Sequence, residues 1–376
     1  MSEPIHQLDL PALDGANPLG FLAALGTLRV LSESDPTIKL GWHARARWVP
    51  FLTSSQPLEE SEILQRLATR LLGEPVEKIA ESKRSNAQDW FDSAKKELKD
   101  ARVALKALNL RGTPRDEERN RSVVPLEKRF ARIRAILLHR LKKAVPASEL
   151  ALGQRPDCTT EEFRQHARTM TKDARIADRA TPDMLASFGS ELSGSDEEKI
   201  EPTPFSFLGG AGHQWFLDTA RELMAEAGET KLREALITPW SYTDEKLTMR
   251  WDPLDDRRYA LMDRDPTATD NKSTTVWMAN LLGYVALAFF PCAPASRGSA
   301  TACWAHTEDA PRFRWPLWAS PLSADSVRSL LTHASLASTD DESGIRELRA
   351  RGVGAVFSSR RLRNGKFTNF SPATAA

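Results

Sequence analysis

The most apolar stretch of the chain, WMANLLGYVALAFF, runs from Trp277 to Phe290 and contains no charged residue. Its 14 residues fall short of the roughly 20 that a helix needs to cross a membrane. We therefore predict a helix that is buried in the protein interior. A chain of 376 residues, of which 41% are hydrophobic and 27% charged, is long enough to build such a core in two or three domains.

The N-terminal segment predicts a second apolar helix followed by strands. In LDGANPLGFLAALGTLRVL, Asn17 is suited to cap a helix that begins with proline, and apolar residues recur behind it at helical spacing. Ala23 and Gly26 would let a neighbouring element approach closely. The next stretch, IKLGWHARARWVPFL, alternates and predicts strands joined by a short turn. Residues 1–57 are thus predicted to form an N-terminal α/β unit.

Residues 58–187 are predicted to form a helical, basic region. Its clearest helix is PLEKRFARIRAILLHRLKKAV, in which apolar residues form a stripe and basic side chains occupy the remaining surface. Such a helix can neutralise the phosphates of a nucleic acid, although an ordinary solvated helix face shows the same pattern and is the favoured alternative. The candidate phosphate contacts are Lys128, Arg129, Arg132 and Lys143.

Residues 188–204, FGSELSGSDEEKIEPTP, are predicted to form a linker or a surface loop, and a C-terminal α+β region follows at 205–376. In that region an apolar run passes through Gly209 and Gly210 into a predicted helix. A glycine turn of this kind exposes backbone N–H groups that can hold an anion. The stretch lacks the GxGxxG and GxxxxGK[ST] patterns of nucleotide sites, so an ordinary strand-to-helix turn is the favoured alternative.

The C-terminal segment VFSSRRLRNGKFTNF is predicted to be a β-hairpin, because Asn364 and Gly365 can supply the positive φ angles of a type I′ turn. Basic residues fall on both faces of the strands, and both cannot be buried without paired anions. We therefore predict that one face meets solvent or a polyanion, with the tip able to contact a base edge. A solvated edge strand is the alternative. The candidate contacts are Arg360, Arg361, Arg363, Asn364 and Lys366.

The whole chain is predicted to be α+β, with an N-terminal α/β unit, a helical basic middle and a mixed α/β C-terminal part that ends in the hairpin. Its formal net charge of +1 conceals segregation. Residues 81–150 carry a net charge of +8, residues 183–270 carry −10, and the C-terminal tail is again strongly basic. Two basic regions around an acidic one indicate a nucleic-acid surface or complementary protein contacts.

The sequence predicts no catalytic site, metal or cofactor. The seven histidines never recur at metal-binding spacing, and no nucleophile motif is present. A metal-dependent nuclease remains an alternative, because clustered carboxylates can hold Mg²⁺ for phosphodiester cleavage. Turns and surface ion pairs give the same clustering beside proline and arginine. The clustered carboxylates are Asp252, Asp255, Asp256, Asp263, Asp265 and Asp270.

Three widely spaced cysteines do not make a disulfide framework or a zinc knuckle, so a reducing cytoplasm is the simplest setting. The first residues, MSEPIHQLDL, show no signal peptide. We therefore expect a cytoplasmic protein with no membrane contact.

Four blocks of the chain carry a resemblance to a known family. They are NPLGFLAALGTLRVL, LGGAGHQWF, WDPLDDRRYAL and ANLLGYVALAFFPCAP. Together they resemble the Cas proteins of type I-G (formerly I-U) CRISPR systems. The likeness is greatest to the large subunit of the Cascade effector and to the related extension domains of the helicase-nuclease, which these blocks do not distinguish.

The resemblance implies a non-catalytic subunit of an RNA-guided antiviral complex, in which the guide RNA pairs with the target strand and protein surfaces read the flanking duplex. Its partners would be target double-stranded DNA, the guide RNA, the CRISPR backbone subunits and the helicase-nuclease. Such a large subunit would bind DNA near the flanking motif, support R-loop formation and help recruit the nuclease. The alternative within the same system is a protein–protein adaptor that couples the effector to the helicase-nuclease.

Overall fold

The computed structural model describes residues 5–72, 81–129, 156, 158–172, 179–192, 199–210, 214–254, 274–295, 298–307, 309–338, 341–365 and 367–376. They form helices and antiparallel sheets, which confirms the predicted α+β class. The helices are α1 (Pro18–Ser32), α2 (Glu60–Leu71), α3 (Glu81–Ala107), α4 (Thr113–Ser122), α5 (Thr160–Thr171), α6 (Ala180–Phe188), α7 (Phe216–Ala225), α8 (Glu229–Leu236), α9 (Trp277–Ala286), α10 (Ala324–Leu331), α11 (Ala334–Ala337) and α12 (Asp341–Ala350), with a 3₁₀ helix at Leu287–Phe289. The strands are β1 (His6–Asp9), β2 (Lys39–Ala44), β3 (Trp48–Ser54), β4 (Asp244–Glu245), β5 (Thr274–Thr275), β6 (Cys292–Pro294), β7 (Ser299–Thr301), β8 (Trp304–Ala305), β9 (Arg312–Trp318), β10 (Leu322–Ser323), β11 (Val353–Asn364), β12 (Phe367–Phe370) and β13 (Thr374–Ala375).

The two apolar segments form helices α1 and α9, which pack directly against each other. Asn17 caps α1 as predicted, since its Oδ1 accepts a hydrogen bond from the N–H of Leu19. Gly26 of α1 lies so close to α9 that a Cβ there would overlap the carbonyl oxygen of Leu282. Every residue of α9 after Trp277 is buried, which confirms the predicted interior helix. Within the described ranges, no helix has both the length and the apolar character needed to cross a membrane.

A four-stranded antiparallel sheet in the order β1-β3-β2-β10 lies beside α1. Its β2–β3 hairpin is the pair of strands predicted from the alternating segment. The rings of Phe21 on α1 and Trp42 on β2 stack 5.8 Å apart. The fourth strand, β10, comes from late in the chain and pairs Leu322 with Leu40. The N-terminal sheet is therefore completed by C-terminal residues.

A second sheet in the order β12-β11-β9-β8, with β13 also paired to β11, carries the aromatic core. The Nε1 of Trp315 on β9 donates to the carbonyl oxygen of Gly15 at 2.8 Å, which ties this sheet to the start of α1. The ring of Phe313 lies 5.0–6.2 Å from those of six aromatic neighbours, which are Phe21, Phe205, Phe290, Trp304, Trp315 and Phe370. The C-terminal hairpin is thus an extension of the sheet that carries the aromatic core.

The chain divides into two compact units. The smaller one, Gly73–Gly153, contains α3, α4 and the helical residues 124–129, in keeping with a helical middle. The larger one joins Met1–Leu72 to Gln154–Ala376. The sequence-based boundaries at 58 and 187 differ from this division, because α2 packs against α8 and α6 packs against the 3₁₀ helix, all within the larger unit. After Phe188, which ends α6, the described part of 188–204 is a loop of the larger unit.

Candidate nucleic-acid interface

The predicted C-terminal hairpin is formed by β11 and β12, but its predicted turn is wrong by one residue. The last pair before the turn is Asn364 opposite Phe367. The turn therefore begins at Gly365 and not at Asn364, and Gly365 supplies a positive φ of +57°, as such turns require. Asn364 closes the strand and does not occupy the tip. Lys366, another predicted contact residue, lies outside the described residues.

The inward face of the hairpin packs on the aromatic core. Thr368 and Phe370 of β12 are buried on this face, and the ring of Phe370 lies 4.8 Å from that of Phe207. Strand alternation and register place Arg361 and Arg363 on the same face. Of these two, Arg361 is half-buried against the body of the protein, whereas Arg363, nearer the turn, stays exposed.

The outward face of the same end is exposed. Alternation puts one arginine and two large apolar residues there. They are Arg360, Leu362 and Phe367. The hairpin end thus combines positive charge with apolar surface on the side away from the core.

Arg361 is half-buried and has no counter-ion among the described residues. Its guanidinium lies over the ring of Phe207, 5.4 Å from the centroid, and its buried Nε has no hydrogen-bond partner among the same residues. Burial, followed by the charge of Arg363, lowers the pKa of Arg361, and the carboxylate of Glu201 only partly offsets this. Glu201 is itself engaged, since it accepts a hydrogen bond from the backbone N–H of Ser299 at 2.6 Å. A guanidinium taken partly out of water without an acceptor is unfavourable, and an incoming anion would correct it.

Within the described residues, the hairpin brings together three arginines that have no carboxylate partner. None of the three, Arg360, Arg361 and Arg363, lies within ion-pair distance of a carboxylate in the described part of the chain. Fourteen other arginines do, namely Arg45, Arg70, Arg102, Arg119, Arg121, Arg129, Arg164, Arg179, Arg221, Arg233, Arg312, Arg328, Arg346 and Arg351. Arginine is therefore left available for an outside anion at the hairpin.

A further arginine stands directly across from this group. Arg312 of β9 pairs with Arg360 of β11 in the register of the second sheet. Like charges at opposed positions destabilise a sheet, and the carboxylate of Asp309 is 3.9 Å from Arg312. A bound polyanion between the two strands' arginines would remove that repulsion.

Arg250 completes the surface, and sequence reasoning missed it. Its backbone is left-handed, with φ +63°, and its N–H donates to Thr248 Oγ1 at 2.9 Å. The guanidinium lies 4.6 Å from the ring centroid of Phe367 and 3.5 Å from Gln214 Oε1. Arg250 belongs to the acid-rich stretch 183–270, so averaging charge along the sequence concealed it. Its backbone conformation has no sequence signature, because non-glycine residues rarely adopt it.

The glycine turn lies beside the hairpin, two residues after Phe207. The N–H of Gly210 donates to the carbonyl oxygen of Gln214 at 2.8 Å, and Gly209 bridges to Trp215. Gly210 has φ +96°, and a Cβ there would lie 2.5 Å from the ring of Trp215. The Gly210 N–H is used inside the turn, which favours the structural interpretation of this segment over an anion site.

The predicted basic helix is described only at its start, and Arg132 and Lys143 lie outside the described residues. Arg129 donates to Glu97 at 2.6 Å, so this guanidinium already has a carboxylate partner. Lys128 is exposed beside it. These contacts favour a solvated, internally paired helix face at this position.

Of the clustered aspartates, only Asp252 lies within the described residues. It is 2% exposed and accepts hydrogen bonds from Tyr242 at 2.7 Å and from Asn17 at 2.9 Å. The carboxylate therefore ties the N-cap residue of α1 to the 242–252 loop. Among the described residues, no three His, Cys, Asp or Glu side chains converge in a way that would hold a metal ion.

No protein-family model matches the chain, and a search of curated proteins finds no match. The candidate interface is therefore defined by its own residues. It comprises Arg250, Arg312, Arg360, Arg361 and Arg363, and we call it the hairpin surface.

Proposed function

We propose that the protein is a non-catalytic subunit of a type I-G CRISPR Cascade effector and that its hairpin surface binds target double-stranded DNA near the flanking motif. In that setting it supports R-loop formation and nuclease recruitment, together with guide RNA, the backbone subunits and the helicase-nuclease. The placement in a CRISPR system rests on the four resembling blocks. The nucleic-acid part of the proposal rests on the hairpin surface.

The observation that carries the nucleic-acid part is the set of hairpin arginines without carboxylate partners in the described part of the chain. Arginine presents a planar fork of donors that matches a phosphate, and it is more weakly hydrated than lysine. A half-buried guanidinium such as that of Arg361 gains the most from a phosphate, because little water is left to be displaced. A two-stranded ribbon is also narrow enough to enter a groove of DNA.

The experiment compares two triple variants of the full-length protein that remove the same charge. Arg360→Ala/Arg361→Ala/Arg363→Ala alters the hairpin surface. Arg346→Ala/Arg349→Ala/Arg351→Ala alters α12 and the residue after it, where Arg346 and Arg351 lie close to Glu342 and Glu347. Binding of a fluorescent 30-base-pair duplex is measured by anisotropy across a series of salt concentrations, where the duplex length is a choice of about three helical turns.

We expect the hairpin variant to lose affinity at every sequence tested and its salt dependence to become shallower by about 0.9 units of logarithmic slope per lost phosphate contact. The α12 variant should keep the slope of the unmodified protein. Equal behaviour of the two variants would contradict the proposal for the hairpin surface. Intact duplex binding, combined with failure of the hairpin variant to assemble with the backbone subunits, would favour the adaptor.

A further inference from the structure

The free end of the hairpin exposes an aromatic ring beside its arginines. Phe367 is 43% exposed and Leu362 is 41% exposed, and the register places both on the outward face. Among the described residues, no aromatic ring lies close to Phe367, in contrast to the dense ring contacts of Phe313 and Phe370. The side chain is therefore not needed to fill the core.

One side of the Phe367 ring is occupied by a cation. The guanidinium of Arg250 lies 4.6 Å from the ring centroid, which is a favourable cation–π distance. Arg250 is fixed for this contact by its left-handed backbone, by the hydrogen bond to Thr248 and by the neighbouring Trp251, whose Nε1 donates to the carbonyl oxygen of Phe205 at 3.0 Å. Arg250 thus contacts one side of the Phe367 ring, and the exposed part of the ring can contact another planar group.

The chemistry that fits such a ring is an unpaired nucleobase. Bases stack on exposed aromatic side chains without sequence preference, because every base has a π face. Bases inside a duplex already stack on each other and are not available. Arg360 lies on the same face of the hairpin, and Arg363 is exposed on the other. Phosphates that flank a stacked base would therefore meet positive charge on either side of the strand.

We infer that Phe367, supported by Arg250, is a stacking site for an unpaired nucleobase of a single-stranded nucleic acid. This inference rests on the proposed function, since it assigns the outward face of the hairpin to a single strand and leaves the arginines to the phosphates. With this site, the hairpin distinguishes base-paired from unpaired segments of a nucleic acid.

The test uses the full-length protein and 20-nucleotide probes with one central 2-aminopurine, whose fluorescence is quenched when it stacks. The probes are single-stranded DNA, single-stranded RNA of the same sequence, and the DNA duplex. The variants are Phe367→Ala, Phe367→Trp as the conservative replacement, and Leu362→Ala as the matched loss of an exposed apolar side chain from the same face. Thermal melting checks that each variant is folded.

We expect Phe367→Ala to weaken single-strand binding by about tenfold, equivalent to about 1.4 kcal/mol, and to abolish the quenching, with duplex binding changed less than twofold. Phe367→Trp should restore both the affinity and the quenching, and Leu362→Ala should change neither. Comparison of the DNA and RNA probes identifies which strand the site takes.

Three outcomes would overturn the inference: unchanged single-strand binding in Phe367→Ala, an equal loss in Leu362→Ala, or an equal loss of duplex binding. Each is distinguishable from failure of the proposed function. If the arginine triple variant still abolishes duplex binding, only the stacking site is refuted, whereas unaltered duplex binding in that variant refutes the hairpin surface itself.

Discussion

Arg361 holds its charge on the inward face of the hairpin without the acceptors that surround Arg328. The guanidinium of Arg328 donates to the carbonyl oxygen of Ala288 at 3.0 Å and pairs with Asp183 at 2.8 Å. Both arginines lie over a phenylalanine ring, so the aromatic contact is not the difference. The difference is the polar partner, which Arg361 lacks within the described residues and which a ligand would have to supply.

We therefore predict that Arg361→Met leaves the free energy of unfolding unchanged or raises it by up to about 1 kcal/mol, because replacing a poorly compensated buried charge with an apolar side chain is often neutral or stabilising. The same variant should lose affinity for duplex DNA. Urea unfolding and anisotropy titration of one preparation measure both quantities.

Arg328→Met is the control for that measurement, and it should lower the free energy of unfolding by about 2 kcal/mol, since it removes the nearer arginine of Asp183 and leaves only the more exposed Arg179, 3.4 Å away. A comparable loss in Arg361→Met would mean that Arg361 is a structural residue.

At the scale of elements, local patterns predicted which segments form the helix pair and the hairpin, but not the register of the turn. Moving the turn by one residue changes the pairing partner of every residue in the hairpin by two positions. Phe370 therefore lies on the inward face with either turn, and strand alternation does not distinguish the two. The choice is made by Ser371, whose N–H donates to the carbonyl oxygen of Arg360 and whose own carbonyl accepts from Ser359 Oγ at 2.6 Å. No turn-propensity rule contains that contact.

The sequence did indicate, through small residues on α1, that this helix packs closely against a neighbour, although not that the neighbour is α9. We predict that Gly26→Ala lowers the free energy of unfolding by about 1–3 kcal/mol, because the added methyl group would overlap the backbone of Leu282 and backbone cannot move aside cheaply. Thermal or urea unfolding of the purified variant measures the effect.

Gly344→Ala in α12 is the matched control for that prediction, since it makes the same change inside a helix where the nearest atom to the new Cβ is 3.3 Å away, on the side chain of Ser335. The better helix propensity of alanine should offset this mild crowding. Equal losses at the two positions would show that close helix packing is not the cause.

At the scale of the whole molecule, the sequence predicted the fold class but not which distant segments share a core. The pairing of β10 with β2 and the hydrogen bond from Trp315 to Gly15 join residues some 300 positions apart. Local patterns do not specify such partners. Charge averaging also directed attention to the basic region 81–150. Four of the arginines that the structure describes there, Arg102, Arg119, Arg121 and Arg129, are paired with carboxylates.

The two units give a whole-molecule prediction. A variant in which Gly73–Gly153 is replaced by a glycine-serine linker should fold cooperatively, because the helix pair and both main sheets lie in the other unit. It should bind duplex DNA within about threefold of the full chain with a similar salt slope, since the hairpin arginines are retained. Calorimetry and anisotropy test the two parts. A variant that unfolds cooperatively but does not bind DNA would show that the phosphate contacts are made by the basic helical region instead.

The packing of α1 on α9 also has a consequence during translation. The Arg29 side chain reaches the carbonyl oxygen of Val285, 256 residues further along the chain. At ribosomal rates of about 5–20 residues per second, the apolar surface of α1 waits about 13–50 s for its partner helix to be made. A nascent chain that exposes Phe21, Leu25 and Leu28 for that long is expected to bind ribosome-associated chaperones. The yield of folded protein should therefore depend on these chaperones more than the stability of the folded state would indicate.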